Sequence, residues 1–331
     1  MPACLVLKFF EELARKKQPT ALADSLQFER FPARESLIAL GMALVYLIWV
    51  WLAVGLRSDH LVFTGLCLGL YFLHPLSRKL VLALFFFVIY WVIYDSMRVY
   101  PNHLFNPVHI AEPYNLEKAL FGFTWNGQVV TPNEYFAQNT HPVLDVLSGF
   151  FYLSWVPVPL AFAVWLYFKD KRTLLDFSLA FLLTNIFGFI LYYLYPAAPP
   201  WYVELYGFQE NFSIPGNEAG LANFDQIMGV QLFHGMYARN ANVFAAIPSL
   251  HSAYPLITLY FAVKKRLKLA SWMFLIILAG IWFSAVYSRH HYIIDVLLGA
   301  LCAVATIIVF EKIILKSRIN SWLDKYARII T

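Results

Sequence analysis

An all-α, multi-pass membrane bundle is the fold class this sequence predicts, and three observations predict it. Hydrophobic residues fill 60% of the 331 positions and charged residues 14%, against roughly 45–50% and 25% in soluble domains. The apolar residues gather in runs that approach the roughly 20 residues a helix needs to cross the hydrocarbon core. The lysines and arginines fall unevenly between the loops that separate those runs. Backbone polar groups cannot stay unpaired in lipid, so the spans must be helices.

The elements follow in order. The opening MPACLVLKFFEELARKK has an apolar run too short, and too soon followed by charge, for a secretory leader. Leu5, Phe9 and Leu13 recur every four residues, so an interfacial cytoplasmic helix is expected within residues 1–35. Eight spans follow at 36–56, 60–76, 80–95, 144–168, 174–195, 248–263, 270–288 and 292–315; the second, third and sixth are short. With eight spans, only Arg57, Arg98, Lys118, Arg239 and Arg289 of the 25 lysines and arginines fall on one side. The rest flank the other side, which is therefore cytoplasmic and holds both termini. The loops 96–143 and 196–247 and the turn 288–291 face outward, toward a periplasm or a lumen. Rich in Pro, Asn, Gly and aromatics, the two long loops are expected to be folded caps. The organisation is a cytoplasmic segment 1–35, three spans with an outer loop over 36–140, a core over 141–316 and a cytoplasmic tail 317–331. Cys4, Cys67 and Cys302 form no disulfide framework, and the latter two sit in apolar runs as packing residues.

Three polar segments interrupt the outer ends of spans: YPAAPPW at 195–201, IPSLHSAYP at 247–255 and SAVYSRHHYIID at 284–295. His291 and Asp295 are four residues apart and would share a helix face. A carboxylate that accepts from one imidazole nitrogen fixes the tautomer and leaves the other nitrogen basic. Such a nitrogen is a nucleophile toward phosphorus or carbon. His290 falls on another face and is the weaker candidate. Pro248 suits the first turn of the sixth span, which puts Ser249 just inside that start and His251 within its first turn. Helices packed side by side would bring His251 to the same depth as His291 and Asp295. One histidine would attack while the other moves protons.

Other readings fit parts of this pattern. A lone interfacial histidine is often a satisfied surface residue. A metal site would need a fourth ligand, and no thiol is near. His-His-x-x-x-Asp also suits acyl transfer, but the Pro-Ser-Leu-His segment one hairpin upstream argues against it. Prolines make YPAAPPW a helix stop, and Trp201 an interface aromatic. Ionisable residues inside a membrane can mark an ion path, yet these gather at one face instead of running across. Asp145 and Asp176 read as ordinary flanks of their spans.

Together the three segments resemble the type 2 phosphatidic acid phosphatase superfamily, whose motifs are K-x6-R-P, P-S-G-H and S-R-x5-H-x3-D. The second stands here as Pro248-Ser249-Leu250-His251, and the third as Ser284-Ala285, then His291 and Asp295. The resemblance covers roughly residues 140 to 315 and implies a six-helix core. It also implies His291 as nucleophile through a phosphohistidine, Asp295 as its orienting group and His251 as acid and base. The first motif's lysine and arginine are absent, and Ala285 stands where the third motif has arginine. Arg289 stands two residues before the histidine, so it is not that arginine. In these departures, and in Pro-x-Ala-Pro-Pro-Trp at 196–201, Pro-Ser-Leu-His-Ser at 248–252 and His-His-Tyr-x-x-Asp at 290–295, the chain resembles the inositol phosphorylceramide synthases and their bacterial relatives.

That resemblance implies transfer of phosphoinositol from phosphatidylinositol to the primary hydroxyl of a ceramide or dihydroceramide. No metal or cofactor and no nucleic-acid partner is expected. A phosphatase using water as acceptor is the alternative. Loss of cations fits a diester donor, which carries one negative charge where a monoester carries nearly two and needs several Arg or Lys forks. Arg239 and Arg289 are the candidate phosphate cations. Ser249, Ser252, Trp201 and His290 complete the expected substrate-binding set. The alternative for Arg289 is a side chain that snorkels to lipid headgroups.

Overall fold

The computed structural model describes residues 33–238 and 242–331. The expected interfacial helix and Arg239 lie outside the described residues.

Helices occupy all eight expected span positions. Four segments are long and apolar enough to cross a membrane alone: Ala33–Val54, Lys171–Leu194, Lys268–Tyr287 and Ile293–Lys316. Their helices are α1 (Ala33–Trp49, with a wider π turn over Val50–Val54), α9 (Lys171–Leu194), α14 (Lys268–Tyr287) and α15 (Ile293–Lys312). Two more spans are bent pairs. α3 (Pro75–Ala83) meets α4 (Phe85–Ser96) at 54°, and α7 (Pro142–Leu153) meets α8 (Pro157–Lys169) at 44°. Pro157 explains the second bend, because a proline offers no N–H to the preceding turn. No proline or glycine marks the first, which falls within the expected span 80–95. The remaining two are short. α2 (Ser58–Leu73) has 16 residues and stops before Pro75; α13 (Leu250–Lys264) has 15 and starts two residues after Pro248. The protein is an all-α integral membrane bundle.

The two long loops are folded, as expected. The first carries α5 (Ala111–Phe121), the strands β1 (Phe123–Trp125) and β2 (Gln128–Val130), and α6 (Pro132–Gln138). Asn126 and Gly127 both take positive φ, at 49° and 79°, which is what a two-residue hairpin turn requires. Thr131 and Glu134 then cap α6 reciprocally. The second loop carries α10 (Pro200–Tyr206), α11 (Ala222–Met228) and α12 (Leu232–Tyr237). The proline-rich segment after α9 joins the loops. Ala197 N–H donates to Phe244 O and Ala198 N–H to His109 O, while Pro196 O and Ala197 O accept from His109 and Ala246. So YPAAPPW ends a helix and is also the middle rail of the cap. The tail is a helix too. α16 (Arg318–Ile329) docks on the bundle through Arg172 Nε to Asp324 Oδ1 (2.7 Å) and Tyr326 OH to Leu82 O (2.8 Å).

The core runs along α9 and α13, where Phe177, Phe181, Tyr254, Ile257 and Phe261 are buried with Phe310 of α15. Lipid is as apolar as leucine, so close approach and polar ties hold helices together here. Asn185 of α9 accepts from Tyr254 OH at 2.5 Å. α13 and α15 come closest. Ser249 N–H donates to Asp295 O at 3.0 Å, and Ser252 Oγ lies 3.0 Å from Val296 O. Gly299 permits this, since a Cβ there would stand 2.0 Å from Ser249 O and 2.2 Å from Ser252 Oγ. Gly299→Ala should force the two helices apart and destabilise the protein by about 1–3 kcal/mol. Thermal melting of the purified variant checks this; an unchanged midpoint would refute the close-packing argument.

Candidate active site

The site forms where the start of α13 meets the turn between α14 and α15. Ser249 is the cap of α13 and His251 the second helical residue; Pro248 precedes the cap, outside the first turn expected for it. Trp282 Nε1–H donates to Ser252 O at 3.0 Å and pins this turn to α14. After α14 the chain reverses through Arg289, whose φ of 63° is left-handed. The His290 and His291 N–H groups then both donate to Ala285 O, at 3.1 and 3.0 Å. The residue in the family motif's arginine position therefore acts through its backbone, as the peg on which the histidine turn hangs.

This geometry brings His251 and His291 together. His251 Nδ1 lies 3.2 Å from His291 Nε2 and 3.1 Å from Tyr152 OH. The edge of the His251 ring meets Trp155, with centroids 4.8 Å apart. Asp295 is near His291 but not as expected. Their Nδ1–Oδ2 separation is 3.5 Å, beyond a normal hydrogen bond. The cause is local. α15 starts at Ile293, so His291 lies before its cap and not on the helix. Asp295 Oδ2 instead accepts the Tyr292 N–H at 2.9 Å. Asp295 is fully buried and His291 is 5% exposed. Burial pushes the His291 imidazole down to about 4, so it is neutral near pH 7.

Three residues that sequence reasoning missed hold this turn. Glu117 of α5, fully buried, accepts from Ile293 N–H at 3.0 Å and Ile294 N–H at 3.1 Å. It thereby serves the free amides at the start of α15. Asn133 of α6 donates to Val286 O and His291 O, both at 2.9 Å. Asp145 is no ordinary flank: it is buried and accepts from Tyr287 OH at 2.7 Å. Asp176 pairs with Arg172. A Thr-x-x-Glu capping box at 131–134 marks the start of α6 in the sequence, but nothing there marks Glu117 or Asn133 as partners of a histidine turn. The core boundary expected at 141 thus leaves out groups that build the site.

The expected substrate-binding residues are placed elsewhere. Ser252 Oγ ties the first turn of α13 to α15, and Ser249 Oγ is buried beside it. His290 stacks between Tyr152 and Tyr237, with Nε2 3.0 Å from Glu218 O. Arg289 Nη1 pairs with Glu204 Oε1 at 3.2 Å, and its carbonyl accepts from Trp201 N–H. Trp201 is buried among Ile110, Ala198, Tyr202 and Phe244. None of the five lines the cavity of about 170 Å³ onto which His251 opens. Its walls are aromatic, with Tyr90, Tyr94, Trp155, Phe189 and Tyr192 among them. Among the described residues no cluster of three or more His, Cys, Asp or Glu could hold a metal ion.

The paired histidines and the buried Asp295 thus lie together at one mouth of the helical membrane bundle. Residues 123–309 match the PAP2 superfamily, and the chain belongs to it. A phosphoinositol dihydroceramide synthase of Bacteroides thetaiotaomicron is 47% identical over 303 residues, covering 90% of this chain and 98% of that protein. The inositol phosphorylceramide synthase of Candida albicans is 32% identical over 185 residues, covering 52% of this chain and 37% of that protein. The Saccharomyces cerevisiae inositol phosphorylceramide synthase catalytic subunit AUR1 is 35% identical over 117 residues, covering 35% and 29%. The match therefore spans nearly all of the bacterial relative and about a third of the length of these two fungal ones. No solved structure matches the chain.

Glu117 supplies a test of how the cap holds α15. Burial pushes its carboxyl up to about 7, against the two amides that favour the charged form. The folded state thus favours the protonated acid. That contribution is complete below the ordinary value near 4.5 and is lost as pH rises through about 7. Glu117→Gln, neutral throughout, should show a melting temperature that changes less between those pH values than the wild type's. Parallel slopes in thermal melts would refute the assignment.

Proposed function

We propose that the protein is a lipid phosphotransferase that moves phosphoinositol from phosphatidylinositol to the primary hydroxyl of a dihydroceramide or ceramide. The observation that carries this reading is the 47% identity over nearly the whole of a phosphoinositol dihydroceramide synthase. The paired histidines supply its chemistry. His291 Nε2 attacks the phosphorus, and the bond from phosphorus to the diacylglycerol oxygen breaks. His251 gives that oxygen its proton. A phosphoinositol–histidine intermediate remains. The acceptor hydroxyl then attacks, the P–N bond breaks, and His251 takes the hydroxyl proton. Both histidines end as they began.

Several features support these roles. His291 is neutral near pH 7 and needs no prior deprotonation to attack. Its Nε2 touches His251, so the phosphorus enters by parting the two rings, and donor binding itself sets the acid beside the leaving oxygen. Asp295 stands close enough to Nδ1 to stabilise the cation that forms on phosphorylation. The aromatic walls of the cavity beside His251 disfavour water. The distribution of lysine and arginine supports cytoplasmic termini and a site on the periplasmic or lumenal face.

Purified protein given labelled phosphatidylinositol and dihydroceramide should form a phosphoinositol sphingolipid. Free inositol phosphate as the only product would make water the acceptor. His291→Ala should lower turnover by at least about a thousandfold, and near-normal turnover would remove His291 as nucleophile. A single cysteine placed in 264–269 should resist an impermeant thiol reagent applied from outside, while one in 96–143 should react; the reverse pattern would invert the topology.

A further inference from the structure

The cavity onto which His251 opens has one feature that the motifs do not explain. Arg98, on the single turn Met97–Val99 after α4, is the one Lys or Arg among its lining residues. It lies outside residues 123–309, which match the family, and 153 positions before His251. Its guanidinium is held from behind. Nε stands 3.2 Å from Asp95 Oδ1. Asp95 is itself fixed by Arg57 Nη2 at 2.7 Å and His60 Nε2 at 2.8 Å, and His60 is fully buried. Asp59 in turn holds Arg57 through Nε and Nη2, both at 3.1 Å. The outer ends of α2 and α4 thus form a rigid frame with one arginine at its cavity edge.

A guanidinium has five N–H groups in a planar fork. Asp95 meets that of Arg98 at Nε, and Asp95 is its one carboxylate partner among the described residues. Nη1 and Nη2 are the edge that grips two phosphate oxygens. The cavity is smaller than the roughly 300 Å³ and more of a site that swallows a drug-sized ligand. At about 170 Å³ it suits a headgroup phosphate and not a whole two-chain lipid. Arg289, the other described candidate, is paired with Glu204 instead.

We propose that Arg98 is the cation that grips the phosphodiester of the donor lipid, with Asp95 as the positioning residue that aims it. This rests on the phosphotransferase reading above. The charges of Arg57 and Arg98 are already matched by Asp59 and Asp95, so the frame offers a directed fork and no excess charge, which suits a singly charged diester better than a monoester dianion. The frame comes from the spans that precede the family match, which gives those spans a part in choosing the donor.

The test separates donor from acceptor. Arg98→Gln should lower kcat/KM for phosphatidylinositol by about a hundredfold or more, chiefly through KM, and leave the KM for dihydroceramide within about twofold. Arg98→Lys keeps the charge but loses the fork, and should recover part of the loss. Asp95→Asn should raise the donor KM alone. Short-chain dioctanoyl phosphatidylinositol should stabilise the wild type against heat and fail to stabilise Arg98→Gln. Donor kinetics within about threefold of wild type, or an effect confined to the acceptor, would overturn the proposal. Should the glutamine variant not fold, Arg98→Lys decides: a donor KM unchanged from wild type overturns it. The binding arm needs no turnover. A wild type that binds the donor analogue through Arg98 yet forms no phosphoinositol sphingolipid would strike the reaction and leave Arg98 as the phosphate contact.

Discussion

The site depends on the close approach of α13 and α15. Two short polar ties, from Ser249 N–H to Asp295 O and from Ser252 Oγ to Val296 O, join the first turns of these helices. Gly299 leaves the space for them. In lipid no hydrophobic force draws one helix to another, so small residues and internal hydrogen bonds decide where helices meet. Once these two starts are in contact, His251 and His291 have little choice but to face each other. A helix start in a membrane also needs partners for its free N–H groups. At α15 those partners are Asp295 and Glu117.

The loop cap is the second layer of the same logic. Glu117, Asn133 and the 196–198 rail are far apart in the chain, yet each satisfies backbone groups of the histidine turn or of the loop beside it. A buried carboxylate without partners would be costly. Its two amide partners offset only part of that cost, since burial still favours the protonated form of Glu117, and through them it couples the cap to the histidine turn. The left-handed Arg289 and the twice-used Ala285 carbonyl show how tightly the turn is specified.

The N-terminal spans precede the family match, yet their charged residues reach the cavity beside His251. Arg57, Asp59, His60, Asp95 and Arg98 form a charged frame at one end of α2 and α4, with His60 and Asp95 buried at its centre. Such frames are rare in membrane segments and mark function more often than stability. Here the frame ends at the cavity wall onto which His251 opens.

By itself the sequence determined the membrane class, the helix at every span position and the two motif segments around His251 and His291. Those features are local: apolar runs, proline stops and charge counts need no knowledge of distant contacts. It misread the histidine–aspartate relation, because helix spacing assumes a helix and α15 begins only at Ile293. It also set Asp145 among ordinary flanks, because burial cannot be read from span position. The tertiary structure alone decided that Tyr152, Glu117, Asn133 and Arg98 gather around two histidines. Tyr152, Asn133 and Glu117 reach the site across 99 to 177 residues of chain through one or two hydrogen bonds each, and Arg98 through a shared cavity wall; contacts of that kind leave no periodicity in the sequence.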